Sequence, residues 1–133
     1  MSRHKSDPWQ SPLSNAYGFD YINTLEINNS TVTLIDFSLP SSSMGRIKWF
    51  GQDFSNELLI SNVTWKILNN DVPIANYGAI THQLGTIVNL AEIFIYLSPG
   101  NTNIKLTATS ALNLKVTGRL VGWYYPDFIA DFL

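Results

Sequence analysis

The sequence predicts an all-β protein: an antiparallel β-sandwich, jelly-roll-like, with an extended N-terminal arm and a short C-terminal tail. Three observations predict it. Runs of 5–11 residues alternate apolar and polar side chains, the period of a half-buried strand. Tight-turn signals (NND at residues 69–71, SPGN at 98–101) separate these runs. No stretch carries three convincing turns of amphipathic helix. With 133 residues the chain is expected to form one domain, large enough to bury roughly two-thirds of its unfolded surface without staples. An immunoglobulin-like sandwich shares these cues; the jelly roll is the favoured reading.

Residues 1–28 read as the arm and residues 29–133 as the sandwich domain. Pro8 and Pro12 exclude helix from the arm, and Trp9, Leu13, Tyr17, Phe19 and Tyr21 follow no sustained period. Residues 31–39 (TVTLIDFSL) are strand-like and rich in β-branched side chains. Pro40, three serines and Gly45 make a loop. Residues 46–50 (RIKWF) then set Ile47 and Trp49 opposite Arg46 and Lys48. Residues 58–68 (LLISNVTWKIL) place Leu59, Val63, Trp65 and Ile67 on one face. Asn69, Asn70 and Asp71 tolerate the positive φ of a hairpin turn, and Pro73 marks the returning strand as an edge.

Residues 77–85 read as a loop. Residues 91–97 (AEIFIYL) form a strand with Ala91, Ile93, Ile95 and Leu97 inward and Glu92, Phe94 and Tyr96 outward. Residues 104–110 are expected to return as its hairpin partner, with Ile104, Leu106 and Ala108 inward. The last strand, residues 114–126 (LKVTGRLVGWYYP), is the clearest. Leu114, Val116, Leu120 and Tyr124 share the inward parity with Gly118 and Gly122. The opposite parity passes from Lys115, Thr117 and Arg119 to Val121, Trp123 and Tyr125. A strand that is amphipathic at one end and aromatic on both faces at the other calls for a cover over its final third. The tail after it clusters Phe128, Ile129, Phe132 and Leu133.

Composition narrows the function classes. Eight Lys and Arg against ten Asp and Glu leave a net charge of -2, with none of the basic footprint that nucleic acid requires. The absence of cysteine removes disulfide and thiolate chemistry. The apolar runs are too short to span a bilayer as helices. The N-terminal residues carry charges and no apolar signal core, so the expectation is a chain made in the host cytoplasm without a signal peptide. His4 and His82 have no ligand-spaced partner. The carboxylates are scattered, and no nucleophile motif or phosphate loop is present. We therefore expect no catalytic residues, no metal and no cofactor.

The distinctive feature is aromatic placement. Phe94, Tyr96, Trp123 and Tyr125 lie on the parity opposite the expected core, with Trp9, Tyr17 and Phe19 in the arm and Phe128 and Phe132 in the tail. Clustered outward aromatics mark an interface. Three readings stay open for them: cover by the chain's own arm or tail, contact with a neighbouring subunit, or a stacking platform for sugars.

The segments WKILNND (65–71), VPIANYG (72–78), LGTIV (84–88), IFIYLSPGNTNIKLTATS (93–110) and VTGRLVGWYYP (116–126) resemble a family of small auxiliary virion proteins of tailed bacteriophages, of decoration or head-fibre type. The resemblance covers roughly half the chain, from residue 63 to residue 126. It implies a small jelly-roll-like sandwich, a structural and non-enzymatic role in the virion, and no active site. The partners it implies are the major capsid protein or other virion proteins. A homo-oligomer is expected, with a trimer as the working guess. A carbohydrate-binding or receptor-binding module, with a glycan as partner, is the alternative.

Overall fold

The computed structural model describes residues 9–55, 62–74, 80, 85–97 and 103–127. Six strands run in chain order: β1 (Tyr17–Ser38), β2 (Met44–Phe54), β3 (Thr64–Asn69), β4 (Val72–Pro73), β5 (Ala91–Leu97) and β6 (Asn103–Tyr125). All pairings between them are antiparallel, in the order β4-β3-β6-β2-β5, with β1 also paired to β6. The all-β, antiparallel expectation holds.

The two long strands β1 and β6 pair along their whole length within one six-stranded sheet. The N-terminal half of β6 lies between β1 and β3, and its C-terminal half lies between β1 and β2. Between the halves the β1–β6 register shifts from Asn28↔Asn113 to Ser30↔Ser110, so Ala111 and Leu112 oppose Asn29 alone. Asn29 takes φ 48°, a left-handed conformation that asparagine accepts more readily than most residues. A bulge bends a strand and raises its twist, and it lets one strand serve both layers of a sandwich. A second shift makes Leu34 the extra residue of β1. Leu34 and Ile35 are consequently buried in succession, and Asn23 Nδ2 donates to the Leu34 carbonyl at 2.9 Å from the opposite half of the same strand.

The core draws side chains from β1, β2, β3, β5 and β6. Trp65 of β3 meets Phe50 and Phe54 of β2 edge-on, at 5.7 and 6.2 Å between ring centres. Ile67, Ile93, Ile95, Leu97, Ile104, Leu106, Val116 and Leu120 pack around them. Gly118 faces this core closely: a Cβ there would lie 2.7 Å from Leu106 Cδ2 and 2.9 Å from Trp65 Cζ3. At the open side, Phe19, Tyr21 and Phe37 stack together, with 4.5 Å between the Tyr21 and Phe37 ring centres. This trio joins the two ends of β1.

Several sequence expectations change. The sequence predicts an arm through residue 28, yet from Tyr17 onward the chain is a strand paired with β6. Residues 17–28 lack an obvious period because an edge strand with both ends of its face partly covered does not alternate cleanly, as its exposure pattern shows. β5 pairs with β2 rather than with residues 104–110, whose two sides are already taken by β1 and β3. In β2 the register slips at Lys48, so the inward residues are Ile47 and Phe50, with Trp49 half-buried. The β3–β4 turn forms as expected, with Asn70 and Asp71 at φ 53° and 66°. Leu59, much of the 77–85 loop, the SPGN turn and the tail from Phe128 lie outside the described residues.

Candidate functional site: an arginine-centred aromatic face

Lys48 leaves the β2 alternation as the extra residue against β6, and Arg46, two positions earlier, is the centre of the outer face. In register, Arg46 stands opposite Tyr96 on one side and Trp123 on the other. Its side chain is fully buried although it points away from the core. The guanidinium lies 4.0 Å from the Phe94 ring centre and 5.9 Å from that of Trp123. Nη1 donates to the Trp9 carbonyl at 2.7 Å; Nη2 donates to Glu92 Oε2 and to the Ile93 carbonyl, each at 3.2 Å. A desolvated cation is tolerated when its charge is paired and its donors are largely occupied; here Nε has no hydrogen-bond partner among the described residues, and ring faces add an attraction that grows as water is excluded.

Residues 9–13 lie across this face as a strap. The Trp9 ring meets Tyr96 edge-on, with 5.6 Å between centres and 76° between planes. Lys48 Nζ donates to the Gln10 carbonyl at 3.3 Å and also lies over the Trp49 ring. The Leu13 amide donates to the Tyr125 hydroxyl at 3.1 Å. The strap ends in a turn closed by the bond from the Ala16 amide to the Leu13 carbonyl, and β1 begins at Tyr17.

The structure brings Trp9, Phe94, Tyr96, Trp123 and Tyr125 onto this one face. Trp123 is 5% exposed and Tyr125 is fully buried, so both are covered on the outward parity. Arg46 lies beside the Trp123 ring, and the Leu13 amide of the strap bonds the Tyr125 hydroxyl. Phe94 and Tyr96 remain 47% and 53% exposed. Tyr17 and Phe19 sit elsewhere: Tyr17 is exposed beside Tyr124, and Phe19 is buried in the trio with Tyr21 and Phe37. Phe128, Phe132, His4 and His82 lie outside the described residues.

Arg46 is the residue that sequence reasoning missed. An arginine on the polar parity of a strand reads as solvated; only the aromatics on neighbouring strands, which need a cover, hinted at a cation stacked among them. The other clear electrostatic feature is surface pairing. Arg119 Nε donates to Asp20 Oδ1 at 2.8 Å, and this bond holds the Asp20 carboxyl below its ordinary range and the guanidinium above its own. Lys105 donates to Asp71 at 2.8 Å and its ammonium is raised for the same reason. Among the described residues no three potential ligands gather as a metal site, and no helix is long and apolar enough to cross a membrane.

No protein-family profile and no curated protein matches the chain. Among solved structures it is similar to one titled "Structure of infectious bursal disease virus Gx strain", at 15% identity and a TM-score of 0.36. The match covers 84% of this chain and 36% of that one, so the chain spans about a third of the length of that structure's chain. At that score the likeness carries no argument about fold or function.

Proposed function

We propose that this chain is a non-enzymatic structural component of a bacteriophage virion, a capsid-decoration or fibre-associated subunit that binds neighbouring subunits through the Phe94–Tyr96 edge of its outer face. The observation that carries this reading is that both rings stay half-exposed while being held from behind: Phe94 by Arg46 and Tyr96 by Trp9. An exposed aromatic whose rotamer is already fixed loses little entropy on binding, which is the property of an interface anchor. The resemblance of residues 63–126 to auxiliary virion proteins supplies the setting. The glycan alternative loses the two flat faces it relied on, because Trp123 and Tyr125 are buried.

Co-sedimentation with capsids tests the proposal. Purified protein should pellet with particles lacking it, and Tyr96→Ala or Phe94→Ala should lower occupancy at least tenfold with the unfolding midpoint within a few degrees of the native protein's. Undiminished occupancy of both variants overturns the docking edge. A glycan-array signal abolished by Tyr96→Ala, without particle binding, would replace the virion reading by the carbohydrate one.

A further inference from the structure

The first half of β1 sets two exposed tyrosines on one side of the sheet. Tyr17 and Tyr21 share a parity, and the β1–β6 register runs unbroken from Tyr17 to Asn28, so both side chains leave the same face. Four residues of strand place them about 13 Å apart. They are 57% and 40% exposed. Each ring is also supported by another: Tyr17 by Tyr124, with 5.6 Å between centres, and Tyr21 by Phe37 at 4.5 Å and Phe19 at 5.7 Å. Tyr124 has the opposite parity to Trp123 on β6, so this row is separate from the Arg46 face.

Polar groups frame the first of these rings. Ser14, Asn15, Ala16, Pro126 and Asp127 line, together with Tyr17, an open cleft of about 540 Å³, a size within the range of about 300–1,000 Å³ found for small-molecule sites. Both walls are held in place. The Ala16 amide closes its turn on the Leu13 carbonyl, and the hydroxyls of Ser42 and Ser43 donate to the Pro126 carbonyl at 2.8 and 3.4 Å. Ser14 brings a hydroxyl to the lining, and Asp127 brings its one formal charge.

An aromatic face beside hydroxyl and carboxylate groups matches a pyranose ring, which presents C–H bonds on its flat faces and hydroxyls around its edge. The carboxylate of Asp127 repels sugars that carry an acid of their own. We propose that this surface binds a neutral oligosaccharide, with one hexose on Tyr17 beside Asp127 and a later unit of the same chain on Tyr21. Rings already supported by Tyr124 and Phe37 lose little freedom on binding. The site shares no residue with the Phe94–Tyr96 docking edge, so it goes beyond the virion reading and is tested apart from it.

The test is a nuclear magnetic resonance titration of the protein with neutral gluco-, manno- and galacto-hexasaccharides and with the matching disaccharides. At least one hexasaccharide should shift the amide signals of Ser14, Tyr17 and Asp127 saturably at millimolar concentration. Tyr17→Ala should weaken both lengths at least tenfold, whereas Tyr21→Ala should weaken the hexasaccharide and spare the disaccharide. Asp127→Asn leaves the rings in place and should also weaken binding, which keeps the test open if Tyr17→Ala fails to fold. Tyr96→Ala should change nothing. No saturable shift with any of these sugars, shifts that survive both Tyr17→Ala and Asp127→Asn, or an equal loss in Tyr96→Ala would each overturn the proposal. Capsid binding lost in Tyr17→Ala, with no sugar bound by the native protein, would assign the cleft to a protein partner and overturn it as well.

Discussion

The guanidinium of Arg46 stacks 4.0 Å from the centre of the Phe94 ring, and that ring is nearly half-exposed on its other side. One buried cation thus fixes a surface aromatic while its Nη1 and Nη2 hold the strap at Trp9 and the β5 backbone at Ile93. Strap, sheet edge and exposed rings form one unit.

Arg46→Met keeps most of the buried volume and removes the charge-assisted bonds. It strands the Trp9 carbonyl, so we expect a loss of about 1–3 kcal/mol, read as a lower urea midpoint with an unchanged slope. The slope matters because it reports the area exposed on unfolding. Unaltered stability would mean that the paired charge merely offsets its own desolvation.

Gly118→Ala and Gly122→Ala should differ in severity. A Cβ at Gly118 meets the far ends of the Leu106 and Trp65 side chains rather than backbone. At Gly122 it collides with the main-chain carbonyl of Arg46, which cannot move without breaking the β2–β6 register. Overpacking costs about 1–3 kcal/mol; Gly118→Ala belongs in that range and Gly122→Ala at or beyond its upper end. Thermal unfolding of the two variants checks the ranking.

The Asp20–Arg119 pair gives a pH signature of known sign. The folded carboxyl titrates below its unfolded value because of its bond to Arg119. Its stabilisation is therefore complete above the unfolded value of about 3.9 and fades as pH falls through the lower folded one. The pair is half-exposed on the aspartate side, which limits it to about 0.2–1 kcal/mol. Asp20→Asn should be slightly less stable than the native protein at pH 7 and equal to it near about pH 2. A gap that persists in acid would assign the loss to something other than the charge.

Strand parity was the legible part of this sequence. The inward sets Ile93, Ile95 and Leu97, Ile104, Leu106 and Ala108, and Leu114, Val116 and Leu120 are buried as alternation predicts. The Asn70–Asp71 turn announced itself through residue type. What parity does not encode is pairing: residues 91–97 and 104–110 are neighbours in sequence and not in the sheet. It is also blind to register slips such as the one at Lys48, which moves Phe50 into the core. The need for a cover over Trp123 and Tyr125 was readable, because aromatics on both faces of a strand cannot all face water. Which segment supplies it was not, since residues 9–13 dock through backbone groups that every sequence possesses.

The strap must be seated for Trp9 to hold the exposed Tyr96 ring, and the Leu13 amide reports that directly. Its single bond runs to the Tyr125 hydroxyl, so hydrogen exchange at Leu13 should be slowed in the native protein and return to the unprotected rate in Tyr125→Phe, with about 0.5–1.5 kcal/mol of stability lost. A Leu13 amide that exchanges at the unprotected rate in the native protein would contradict the account.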